Sequence, residues 1–188
     1  MAGFGTVVSI ALLVLVIVSL FQGIRIVPQG EEWIVERLGK YHATLVPGLH
    51  LVIPYLDRVA YRIITKDQLL DVEEQEVITK DNAVIVANAI AFIKVTDPVK
   101  AVYGVTNYAS AIRNLIMTTL RSIIGGMELD EALYSREKIK ARLKADIADE
   151  AIDWGLTVRS VEIQDIKPTR SMQVAMEQQA SAERERKA

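Results

Sequence analysis

The sequence predicts an α+β body carried on a single N-terminal membrane-spanning helix. Three observations predict it. From Thr6 to Ile24 no residue is charged, and most are Val, Leu, Ile or Ala. Between Glu31 and Val95 short apolar segments are broken by Gly and Pro, which is the habit of strands. From Tyr108 onward apolar residues recur at helical spacing.

At a rise of ~1.5 Å per residue, Thr6–Ile24 reaches roughly 28 Å, close to the hydrocarbon thickness of a bilayer. A helix is the single segment that satisfies its own backbone hydrogen bonds there. Thr6, Leu13, Ile17 and Ile24 are the expected lipid contacts. A cleaved signal peptide would need a basic n-region and a small-x-small site. Here no Lys or Arg precedes the run, and bulky Phe21 stands where a small residue is wanted. Arg25, Arg37 and Lys40 follow the span, so the positive-inside rule puts the body in the cytoplasm and the short N-terminus outside. The absence of cysteine excludes a disulfide framework and a thiolate metal site.

Residues 25–188 suffice for one ordinary domain or two small ones, and a net charge of −2 gives no case for nucleic acid. Glu31–Leu38 reads as a strand ended by Gly39. Val46–Tyr55 is apolar but holds Pro47 and Pro54, so it reads as an edge strand or an irregular loop. Glu76–Thr79 and Val84–Val86 flank Lys80-Asp81-Asn82-Ala83 as a hairpin, and the returning strand runs to Val95, closed by Asp97-Pro98. Tyr108–Ile124 is helical and stops at Gly125-Gly126. Ser135 is positioned to cap a second helix with Ile139, Leu143, Ile147 and Ala151 on one face and Gly155 as its stop. Leu156–Ile166 reads as a strand, and a phase shift between Val158 and Val161 predicts a bulge near Arg159-Ser160. Pro168 suits the first turn of a last helix. That helix carries a thin stripe of Met172, Ala175, Met176 and Ala180 among charges, which suits a coiled coil.

Chemistry-bearing motifs are scarce. His42 and His50 are the only histidines, so a zinc site would need mostly carboxylates. There is no Gly-x-Ser-x-Gly elbow, Walker loop or Gly-x-Gly-x-x-Gly fingerprint. Asp146, Asp149, Glu150 and Asp153 lie among Lys and Arg at the spacing of a solvated helix face. No catalytic residue, cofactor or metal is predicted. Three features point to partners instead. The face Ala83, Ile85, Ala87, Ala89, Ala91 and Ile93 invites close approach by a helix of the same domain or by a neighbouring protomer. Met117 stands on the polar side of its helix, a possible subunit contact or a lone surface Met. Leu49, Leu51 and Ile53 belong either to an interfacial element resting on the bilayer or to a half-buried edge strand.

In order along nearly the whole chain stand Val27-Pro-Gln-Gly-Glu, Pro47-Gly-Leu, Pro54, Asp57-Arg58, Ile78-Thr-Lys-Asp-Asn82, Thr119-Leu-Arg121 and Glu128-Leu-Asp-Glu131. Ser135-Arg-Glu137, Trp154-Gly155, Val161-Glu-Ile163, Asp165-Ile166 and Ala182-Glu-Arg-Glu185 follow. Together these residues resemble the stomatin–prohibitin–flotillin–HflK/C (SPFH, or band 7) superfamily, most closely its bacterial stomatin-like, QmcA-type branch. The resemblance implies an anchor at 1–24, a β-rich SPFH subdomain at 25–96, a mixed α/β subdomain at 97–167 and the start of a coiled-coil helix at 168–188. It implies large homo-oligomeric rings or cages that enclose membrane and segregate lipids and membrane proteins. It also implies partners such as an NfeD-type membrane protein or a membrane-bound AAA protease. The chain stops at Ala188, where the family's long coiled coil should begin, so a truncated polypeptide or its ordered part alone is expected. The oligomer contacts expected are Met117 on the earlier helix and Met172, Ala175, Met176 and Ala180 in the last one.

Overall fold

The computed structural model describes residues 2–187, which divide into two compact units at Lys66/Asp67. The first begins with helix α1 (Ala2–Gly23) and continues as strands β1 (Ile24–Val27), β2 (Glu31–Arg37), β3 (Lys40–Leu45), β4 (Gly48–Leu51) and β5 (Asp57–Ile64). Ile24, expected to close the anchor, is the first residue of β1 instead: its carboxyl-side neighbours pair with β4, and that pairing ends the helix. β1 and β4 form an antiparallel ribbon, and β3-β2-β5 form a three-stranded sheet. The predicted strand over 31–38 is β2; the Val46–Tyr55 run resolves into β4 followed by a turn. Val27 and Val52 pack on Trp33, Val35 and Leu45 in the unit's core, with Val59 against them. Arg62 stacks over the Trp33 ring, 4.4 Å from its centroid, and the indole N–H donates to Glu31. His42 falls in a β2–β3 register shift and is exposed.

The second unit is a sheet in the order β6 (Gln68–Ile78), β7 (Val84–Val95), β8 (Leu156–Pro168), with α2 (Pro98–Tyr103), α3 (Tyr108–Gly125), α4 (Leu129–Tyr134), α5 (Arg136–Asp153) and α6 (Arg170–Lys187). The sequence division at 96/97 differs from this one. The β6–β7 hairpin hydrogen-bonds β8 along nearly all of β7, which ties it to the second unit. α3 packs on β6, α5 on β8, and the two helices on each other. Their apolar faces, Ile112, Ile116 and Leu120 on one and Ile139, Leu143, Ile147 and Ala151 on the other, are wholly buried. The alanine face of β7 is buried within this chain as well, which closes it to a neighbouring protomer.

The 80–83 hairpin turn forms with Asn82 at φ 61°, a left-handed conformation that Asn tolerates. Lys80 N–H bonds the Met127 carbonyl, and the Asp81 carboxylate accepts from Thr79 Oγ1 and from Leu129 N–H at the start of α4. The Thr79 hydroxyl, first, holds the Asp81 carboxyl below its usual range. α2 and α4 are too short to show a period. Arg159 is the predicted bulge: Phe92 pairs with Ser160 and Ile93 with Val158. A second shift passes over Gln164.

Two capping expectations need correction. Pro168 does not open the last helix; it closes β8 opposite Ile85, and α6 begins at Arg170. Ser135 occupies the N-cap position of α5 but makes no side-chain cap bond, because its backbone (φ −107°, ψ 37°) also ends α4.

Candidate membrane-seating surface

The one chemically distinctive surface of the first unit is apolar, and it starts at α1. Gly5–Gly23 has a mean hydropathy of 2.4 and is long and apolar enough to cross a membrane. Its large apolar side chains, Leu13 and Ile17 among them, are exposed, and Thr6 lies at its start. Gly23 closes the helix against the ribbon. Its carbonyl accepts from Val52 N–H at 2.8 Å, and a Cβ there would meet the Val52 carbonyl oxygen at 2.6 Å. Only glycine permits that approach.

The ribbon sorts its side chains by strand alternation. Inward go Val27 and Val52; outward go Ile24 opposite Leu51, and Ile26 opposite Leu49. Ile26 is 70% exposed, and Leu49 and Leu51 are each 72%. Every outward position of the ribbon is thus a large aliphatic in open solvent, which a water-facing ribbon does not need. Ile53 continues the face, and with Pro54 it lines a groove of about 260 Å³ against Ser19, Leu20 and Gly23 of α1. The structure therefore joins Ile24, Leu49, Leu51 and Ile53 into one patch at the foot of α1. On the inner side Arg25 lies opposite His50, whose Nε2 donates to the Val46 carbonyl.

Sequence reasoning missed Ile26, although the alternation Ile24-Arg25-Ile26-Val27 signals it. It also missed the ion pair at the end of the patch. Arg37 and Asp57 are cross-strand partners of β2 and β5. Arg37 Nε donates to Asp57 Oδ1 at 2.6 Å and Nη2 to Oδ2 at 3.0 Å; Ile53 N–H also donates to Oδ2. The Asp57 side chain is 4% exposed. Arg37, then the Ile53 amide and the charge of Arg37, with His42 adding, pull the Asp57 carboxyl down to about 2 against its partial burial.

The expected subunit contacts lie in the second unit. Met117 is half-buried, and its carbonyl accepts from Gln75 Nε2, whose Oε1 accepts from Arg121. Met172 is half-buried, while Ala175 and Met176 are exposed along α6; the side chain of Ala180 lies outside the described residues. Among the described residues no three His, Asp or Glu side chains gather as a metal site would require.

Residues 25–188 match the family described as SPFH domain / Band 7 family. The chain belongs to that family. Among its relatives, stomatin homologues of Pyrococcus horikoshii and Pyrococcus abyssi are each 43% identical over 96% of the chain and 68% and 67% of their own lengths. An uncharacterized protein of Methanothermobacter thermautotrophicus is 41% identical over 97% of the chain and 57% of the relative. The chain thus spans about half to two thirds of these relatives, and the SPFH match covers everything after α1.

Proposed function

We propose that this SPFH protein is a non-catalytic scaffold of the stomatin-like, QmcA-type kind. It is anchored by α1 with its body in the cytoplasm, and it assembles in many copies into rings or cages that organise lipids and proteins of the membrane. The observation that carries this reading is the continuity of an exposed apolar helix with a ribbon whose outward side chains are all aliphatic. α1 fixes the chain in the bilayer, and the ribbon lays its outer face on the headgroup boundary. The body is thereby held at a set height and orientation. Confinement to two dimensions raises the effective concentration of neighbours, so weak lateral contacts suffice for assembly. The partly exposed Met172–Met176 stripe of α6, too narrow to stabilise an isolated helix, supplies one such contact.

Two measurements test the reading. The mass of the gently extracted particle should correspond to many copies of this chain; a monomer, or a fixed complex with one foreign membrane protein such as an AAA protease or an NfeD-type protein, would support a regulatory subunit instead. A reporter fused after Ala188 should be active only in the cytoplasm, and changing Arg25, Arg37 and Lys40 to Gln with Lys added before Thr6 should weaken or invert that orientation.

A further inference from the structure

We infer that the Ile53–Leu56 turn and Leu38 form a rigid wedge in one leaflet beside α1, so that the protein favours strongly curved bilayers. The inference rests on the membrane seating proposed above and adds a property to it.

Depth comes first. Ile53 and Pro54 line the groove against Ser19 and Leu20, a full turn before the end of α1. A Cβ on Gly23 would lie 3.5 Å from Pro54 Cδ. With α1 in hydrocarbon, this turn sits at the depth of the last helical turn, roughly 5 Å inside the apolar boundary. Its outer side chains suit that depth: Tyr55 is 79% exposed, Leu38 is 80% exposed, and Leu56 is exposed too. Leu38 N–H donates to the Leu56 carbonyl, which joins the two loops into one knob.

The backbone leading into the turn is paired within the chain, which lowers the cost of placing it near hydrocarbon. Val52 N–H bonds Gly23, Ile53 N–H bonds Asp57 Oδ2, the Ile53 carbonyl accepts from Asp57 N–H, and Pro54 has no N–H to satisfy. Of the neighbouring charges, Asp57 is neutralised by the two bonds from Arg37, and the exposed Lys40 and Arg58 have side chains long enough to reach the headgroups.

The knob is stiff. Leu38 (φ 51°) and Tyr55 (φ 72°) both hold a left-handed backbone, which non-glycine residues adopt at a cost and keep only where surroundings enforce it. The enforcing element is the Arg37–Asp57 clamp: Arg37 directly precedes Leu38, and Asp57 directly follows Leu56. A transmembrane helix adds similar cross-section to both leaflets. The knob adds volume to one leaflet alone, and curvature toward that leaflet relieves the mismatch. Lipid is the fitting occupant, because the knob is continuous with the end of α1 and its exposed side chains are large and apolar.

The test uses the full chain, which lacks cysteine and so accepts a single label at Tyr134→Cys on the second unit. It is reconstituted into a mixture of small and large vesicles of phosphatidylcholine and phosphatidylglycerol. Protein density per unit of lipid should be several-fold higher on the small vesicles. Leu38→Ser/Tyr55→Ser/Leu56→Ser should abolish that preference while the protein stays membrane-inserted. Asp57→Asn, which leaves the apolar side chains and loosens the clamp, should reduce it. Equal density on all vesicles for the wild type overturns the wedge, as does a triple variant that keeps the preference but forms smaller particles, which would mark the knob as a contact between copies. A nitrobenzoxadiazole label at Ile53→Cys separates this failure from that of the seating itself: no quenching by lipid-borne nitroxide means the surface does not meet the bilayer at all.

Discussion

Removing the aliphatic face of the ribbon should weaken membrane binding by about two orders of magnitude without unfolding the protein. The perturbation is Ile26→Ser, Leu49→Ser and Leu51→Ser in a fragment of residues 23–188. That fragment keeps β1 and the Gly23 carbonyl but lacks most of α1, so its binding is reversible. Full burial of a Leu or Ile side chain stabilises by roughly 1.5–3 kcal/mol. These side chains are 70–72% exposed, and an interfacial contact covers one side of each, which leaves about 1 kcal/mol per residue. Three substitutions therefore remove about 3 kcal/mol, a ~10²-fold drop in partition. Co-sedimentation with phosphatidylglycerol-containing vesicles measures it, with circular dichroism as the control. The three positions contribute nothing to the core of Val27, Trp33, Val35, Leu45 and Val52, so the β signal should not change. Unchanged partition with an intact β signal would refute the reasoning, because the patch would then be idle surface.

Three further outcomes are expected. Met172→Asp with Met176→Asp should break large particles while leaving the circular dichroism of the sheet intact, because the α6 stripe lies outside the core; light scattering checks this, and unchanged particle size would dismiss the α6 contact. Gly155→Ala should destabilise the second unit by about 2 kcal/mol or more in urea unfolding, since Gly155 sits at φ +69° and a Cβ would clash with the Asp97 carbonyl oxygen. The Asp57 carboxyl is held down to about 2 in the folded chain, so its contribution is complete above the ordinary value of 3.8 and declines as pH falls from there through about 2. Asp57→Asn should therefore lower the thermal midpoint at neutral pH and flatten its dependence on pH between about 4 and 2; equal slopes for both proteins would count against the clamp.

How much was legible depended on how local each signal was. α1 and the buried face Ile139-Leu143-Ile147-Ala151 are repeated local patterns; the face appears as read, and α1 forms but ends at Gly23 instead of Ile24. The bulge at Arg159 follows from a break in alternation between Val158 and Val161; the same break between Ile163 and Ile166 marks the second bulge, at Gln164, and was there to be read. The alanine face of β7 was visible, but only its burial within the folded chain decided that it is not open to another protomer. The Arg37–Asp57 clamp joins residues far apart in sequence, and only the β2–β5 register brings them together. β1 is short and merges in hydropathy with the anchor before it, so its outward Ile24 and Ile26 were read as helix or missed. Pro168 misled because proline tolerates a strand end as well as a helix start, and the ladder of β8 decided between them.

The central claim is that α1 and the ribbon meet one bilayer together. Single cysteines in the otherwise cysteine-free full chain, at Leu49 and Ile53, can carry a nitrobenzoxadiazole label in vesicles containing nitroxide lipids. The account predicts strong quenching and blue-shifted emission at both 49 and 53. Water-like emission at 49 and 53, in a protein whose α1 is shown to be inserted, would contradict it.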